Sequence, residues 1–126
     1  MIQISTKDAL KPSGHYSQAI LHKDTIYVSA QLPIDPLTGE KKFGSIAEEA
    51  ERILKNIDII LKEAGSGKDH IIKTTVYLSD MLLWNDVNNI YSSFFKFHKP
   101  ARTVVSVKEI HFGFKIAIEA IAEKTC

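Results

Sequence analysis

One long apolar stripe constrains this chain more than any other feature. Between Ser45 and Ala64, residues Ile46, Ala50, Ile53, Leu54, Ile57, Ile60, Leu61 and Ala64 recur at helical spacing. Ser45 and Glu48 form an S-x-x-E capping box that starts the helix, and Gly65 and Gly67 stop it. A helix apolar on one side only must lay that side on another layer. Asp80 can cap a second helix with the stripe Trp84, Val87, Tyr91, Phe94 and His98. Lys99-Pro100 ends it, because the residue before a proline avoids the helical region.

The remaining apolar segments have the period of strands. Ala19 to Leu32 reads as a hairpin turning at His22-Lys23-Asp24, and Pro33 to Gly39 as a loop closing it. His70–Ser79, Arg102–Val107 and Phe114–Ala122 read as three more strands, with an extra one at Ile2–Ser5. The order β-β-α-β-α-β-β predicts a two-layer α+β domain with both helices on one sheet face. In the last strand Ile116, Ile118 and Ala120 point one way and Ala117, Glu119 and Ile121 the other. The outer face is therefore read as apolar, which predicts self-association.

At 126 residues, the chain reads as a single domain over residues 1–126, with no linker, repeat or low-complexity stretch. Composition excludes several classes. Apolar residues make up 44% and charged residues 25%, which rules out a disordered or fibrous chain. The net charge of +1 lacks the basic footprint of a nucleic-acid domain, so nucleic acid is an unexpected partner. The one cysteine, Cys126, excludes a disulfide framework and a cysteine zinc site. No signal peptide and no membrane span of about 18 apolar residues is read, so the expected location is the cytoplasm.

Three clusters carry possible chemistry. Arg102 enters a strand among Val104, Val105 and Val107, where a guanidinium needs a carboxylate or phosphate partner. An internal pair with Glu109 or Glu119 would satisfy it equally. Gly14-His15-Tyr16-Ser17-Gln18-Ala19 gathers an aromatic, a hydroxyl and an amide before a strand, and also fits a turn with a packed tyrosine. Ser29-Ala30-Gln31-Leu32-Pro33 ends a strand, where backbone N–H groups lose their partners. Other signals read as structural. Gly65-Ser66-Gly67-Lys68 lacks the spacing of a phosphate loop, and Lys41-Lys42 near Lys23 is too little charge for a nucleic-acid groove. The five histidines form no H-x-x-x-H pair, so no metal site is expected.

At these clusters the sequence resembles the RidA/YjgF family, the reactive enamine/imine deaminases, also described as L-PSP endoribonucleases or translation inhibitors. Gly14–Ala19 resembles G-P-Y-S-Q-A, and Ser29–Glu40 resembles S-G-Q-I-P-x-[DN]-P-x-T-G-E. Val87–Tyr91 resembles V-N-x-x-Y, Pro100–Thr103 resembles P-A-R-[ST], and Ile118–Ala122 resembles I-E-A-I-A. The resemblance implies a chorismate-mutase-like fold and a homotrimer with clefts between subunits. It implies that Arg102 binds the substrate carboxylate, that Tyr16 lines the cleft with Asn88 nearby, and that the backbone at Ser29, Ala30 and Gln31 borders it. The implied reaction hydrolyses a 2-imino acid to a 2-keto acid and ammonia, without a cofactor.

The departures bear on the same chemistry. Active members carry a water-holding glutamate where this chain has Ala117. Glu119 shares that strand face but lies roughly 6.5–7 Å along. The family's pocket cysteine is Val104, the glycine of S-G-Q is Ala30, and the proline of G-P-Y is His15. The rim sequence A-R-L-P-K-D is replaced by Lys108-Glu109-Ile110-His111-Phe112-Gly113. His15 or His111 is then a candidate acid–base group. Two readings follow: an imine deaminase with weakened or shifted chemistry, or a non-catalytic trimer binding small carboxylates or a partner protein. A ribonuclease ranks last.

Overall fold

The computed structural model describes residues 1–125; Cys126, the single cysteine, lies outside them. The elements run β1 (Ile2–Ile4), β2 (Ala19–His22), β3 (Thr25–Gln31), α1 (Ile46–Glu63), β4 (Ile71–Leu78), α2 (Trp84–Phe95), β5 (Ala101–Ser106) and β6 (Ile116–Glu123). One six-stranded sheet has the order β1-β2-β3-β6-β4-β5. Every pairing is antiparallel except β4 with β5, which are joined by the α2 crossover.

The stripe of α1 explains the layer. Ala50, Ile53, Leu54, Ile57, Ile60 and Leu61 are all buried, against Ile26, Val28, Ile116, Ile118 and Ala122 of the sheet. The capping box forms as the sequence predicts: Ser45 Oγ accepts from the Glu48 N–H, and a Glu48 carboxylate oxygen accepts from the Ser45 N–H. Val87, Tyr91 and Phe95 of α2 join the same cluster, so both helices lie on one face.

Three boundaries differ from the sequence reading. Asp80 caps a single 3₁₀ turn, Met81–Leu83, that leads into α2, and does not cap α2 itself. The second helix stops at Phe95, ahead of Lys99-Pro100. Lys96 adopts a left-handed backbone (φ 57°) and its N–H closes on the Ser92 carbonyl. His98 is therefore off the helix. Phe114 precedes β6, behind another 3₁₀ turn at His111–Gly113.

The outer sheet face is mixed, not simply apolar. Beside Tyr27 and Ile121 it carries Lys73, Thr75, Tyr77 and Glu119, brought alongside one another by the register of β4 with β6. The last strand alone could not show this, since half of that face comes from its neighbours. At one end the face is covered by a smaller cluster of Ile34, Ile110, Phe114 and Ala117.

Candidate active site

Arg102 stands near the start of β5, in register with Thr74 of β4 and on the helix side of the sheet. Trp84, Asn88 and Tyr91 follow one another at i, i+4 and i+7 on α2, so they share the helix face that meets it. Arg102 Nη2 donates to Asn88 Oδ1 at 3.3 Å. Its guanidinium carbon lies 4.9 Å from the Tyr91 ring centre and 5.3 Å from that of Trp84. Tyr91 is itself fixed, its hydroxyl donating to Thr74 Oγ1 at 2.8 Å. No carboxylate among the described residues pairs with Arg102, and the internal partners Glu109 and Glu119 are not used. The cation is thus oriented but not neutralised. It lines a cavity of about 500 Å³ with Asn88, Tyr91, Ser92, His98 and Lys99. His98 Nε2 lies 2.7 Å from the Ile71 carbonyl, which only accepts, so that nitrogen carries a proton.

Burial pushes the Tyr91 hydroxyl up to about 12, against the lowering effects of the Thr74 hydrogen bond and the Arg102 charge. The unfolded chain releases this proton near 10, so it binds fewer protons than the folded chain between pH 10 and 12. Stability therefore falls as pH rises through that window. In denaturant titrations, Tyr91→Phe should lose less stability than the parent between pH 10 and 12. At neutral pH it should cost about 1 kcal/mol, because Thr74 loses its partner.

A second cavity, of about 140 Å³, is lined by Tyr16, Ala30, Gln31, Lys41 and Phe112, among others. Gln18 builds one wall. Its Nε2 donates to the Thr6 and Leu10 carbonyls and its Oε1 accepts from the Thr6 N–H, which holds the loop leading to Tyr16. Asp35 lies outside the lining and orders the adjoining loop that carries Gly39 and Lys41, accepting from the Leu37 and Thr38 N–H groups, bonds that hold its carboxyl below the usual range. Asn56 reaches up from α1 to the Ile34 carbonyl at 3.0 Å. Gln31 is 5% exposed, donates to the Ser29 carbonyl, and leaves its Oε1 without a partner among the described residues.

Of the residues singled out in the sequence, Arg102 and Asn88 meet, and Tyr16, Ala30 and Gln31 meet, but the two groups line different cavities of one chain. Strands β6 and β4 lie between β3 and β5. Ser29 lines neither cavity, because its Oγ is committed to the Ser17 carbonyl at 2.7 Å. Val104 packs on the main core. Ala117 is 7% exposed within the smaller apolar cluster. Glu119 sits on the outer face and accepts from the Tyr77 hydroxyl, a bond that, with burial and the Glu119 charge, raises the Tyr77 value. His15 and His111 line neither cavity; Phe112, next to His111, does. The sequence reading gives Lys41 only as surface charge and Phe112 only as part of the altered rim loop, and an aromatic residue before a loop glycine is the available signal for the second. Among the described residues no three His, Cys, Asp or Glu side chains gather to hold a metal ion, and no helix is long and apolar enough to cross a membrane.

Comparison with known proteins agrees with this architecture. The family described as Endoribonuclease L-PSP matches residues 6–124. A RutC family protein of Pyrococcus abyssi is 45% identical over 121 residues, covering 96% of this chain and 95% of that protein. The human 2-iminobutanoate/2-iminopropanoate deaminase is 45% identical over 119 residues, 94% of this chain and 87% of that one. A solved structure from Yersinia pestis, described as a member of the conserved Rid protein family, superposes with a TM-score of 0.93 at 40% identity, over 97% of this chain and 98% of that one. A six-stranded sheet bearing two helices, the match across residues 6–124 and these identities place the chain in the RidA/YjgF (L-PSP) family.

Proposed function

We propose that this chain hydrolyses 2-imino acids to 2-keto acids and ammonia, in a cleft that a homotrimer completes by setting the Arg102 cavity of one copy against the Tyr16 cavity of the next. The observation that carries this reading is Arg102, oriented by Asn88 and two rings yet facing a cavity without a carboxylate partner. Its planar fork suits the substrate carboxylate, to which it gives two parallel charge-assisted hydrogen bonds. The identity shared with the human 2-iminobutanoate/2-iminopropanoate deaminase supports the reaction.

The substrate reacts as the protonated imine. A water oxygen bonds to the imine carbon, and the C=N electron pair moves to nitrogen. One water proton passes to that nitrogen, an oxygen electron pair closes the C=O bond as the C–N bond breaks, and the departing ammonia takes the second water proton, leaving ammonium and a 2-keto acid. Among the described residues no aspartate or glutamate lines either cavity. The acceleration therefore rests on holding an already electrophilic carbon where water reaches it.

One observation favours a second reading. Ala117, where the resemblance implies a water-holding carboxylate, is a methyl buried beside Ile110 and Phe114. On this second reading the chain binds small carboxylates in the cleft without acting on them. A coupled assay separates the two. A dehydratase generates 2-iminobutyrate and keto-acid release is timed with and without this chain. Faster release supports the enzyme; equal rates, with keto-acid binding retained, support the binding protein.

A further inference from the structure

We propose that the smaller cavity is a subsite for a second acidic group, so that this chain prefers 2-imino dicarboxylates over neutral 2-imino acids. Two ammonium groups, Lys11 and Lys41, line this cavity, and no aspartate or glutamate does. Neither lysine forms an ion pair among the described residues; Glu40 is taken by Lys42 instead. A cavity with two unneutralised cations is matched by an anion. The monocarboxylate of a neutral imino acid is already claimed by Arg102, so the charge here calls for another.

The placement of Lys41 is specific. Its Nζ lies 4.5 Å from the centre of the Phe112 ring, a cation–π contact that fixes the ammonium without using its hydrogens. Phe112 is held for this at a cost. Its backbone is left-handed (φ 62°, ψ 8°), a region that bulky residues avoid. Phe112 stays 45% exposed, so core burial does not account for the conformation. The His111 ring, 3.9 Å away, and the edge-on Phe114 ring hold it in place. Strain stored in an exposed aromatic residue at a cavity points to ligand recognition. The distal carboxylate of the substrate pairs with Lys41, and Phe112 carries the methylene arm between the two charges.

The subsite rests on the imine-hydrolysis reading for its catalytic meaning, but it is tested by binding alone. Calorimetry on the intact chain compares 2-oxoglutarate with 2-oxobutyrate, the diacid and monoacid products. The diacid should bind at least about tenfold more tightly, as expected of one added charge-assisted contact. Lys41→Gln should bring the ratio of the two affinities close to one, and Phe112→Leu should reduce it partway by releasing the ammonium. Equal binding of the two acids by the parent overturns the subsite, as does a preference that survives Lys41→Gln. If the coupled assay, run with 2-iminobutyrate and again with 2-iminoglutarate, shows hydrolysis of neither, the enzymatic reading fails, and the affinity ratio still decides the subsite.

Discussion

Arg102→Lys should weaken the binding of 2-oxobutyrate by at least about tenfold, although the charge is kept. A guanidinium grips a carboxylate through two N–H groups in one plane, and an ammonium offers a single point contact. The structure adds a second loss. Arg102 is aimed by a bond to Asn88 and by stacking over Tyr91 and Trp84. A flexible ammonium does not inherit that orientation, so more side-chain entropy is lost on binding. Since Arg102 lies at the sheet edge and is only half-buried, the variant should fold with nearly the parent's thermal midpoint. Calorimetry at low and moderate salt checks the expectation. An unchanged affinity at both would make Arg102 a structural residue and remove the anchor of the proposed cleft.

How far the sequence foretold this arrangement depends on the range of each interaction. Helix α1 was legible in full, because Ser45, Glu48 and the apolar stripe act within a few residues of one another. The stop of α2 was not, since Pro100 gave a plausible end while the actual one depends on the left-handed backbone of Lys96. The central place of β6 between β3 and β4 is a pairing across the whole chain, and no local pattern encodes it. That order sets Tyr16 and Arg102 in separate cavities. The meeting of Arg102 with Asn88 was legible only through the family resemblance. The physics of an arginine among valines asked for a partner without saying that rings and an amide would serve. Phe112 was overlooked for the same reason: a loop reveals which residues it contains, but not which ring its backbone turns toward a cavity.

Ala117→Glu should raise the rate of imine hydrolysis by roughly 10²–10⁴-fold, the usual contribution of a general acid–base group, provided the variant folds. The resemblance implies a glutamate at this position in active relatives, and in this chain a methyl occupies it. The surroundings set the cost. Ala117 is buried with Ile34, Ile110 and Phe114, and its partner across the sheet, Tyr77, already donates its hydroxyl to Glu119. An ionised carboxylate there finds few donors, and unpaired burial costs several kcal/mol. Glu119 adds a like charge on the same strand face, two residues along. Both effects raise the pKa of the introduced group, which suits a base working near neutral pH but lowers stability there. A depressed thermal midpoint is therefore part of the expected result. Ala117→Gln is the control, with the same shape and no proton-accepting carboxylate. A gain confined to Ala117→Glu assigns the missing step to the carboxylate. An equal gain in both variants would instead mean that filling the space, and not basicity, speeds the reaction. If the folded Ala117→Glu variant gains nothing while the parent is already fast, the chemistry runs on orientation by Arg102 and Asn88 alone, and the loss at position 117 is not a loss of function.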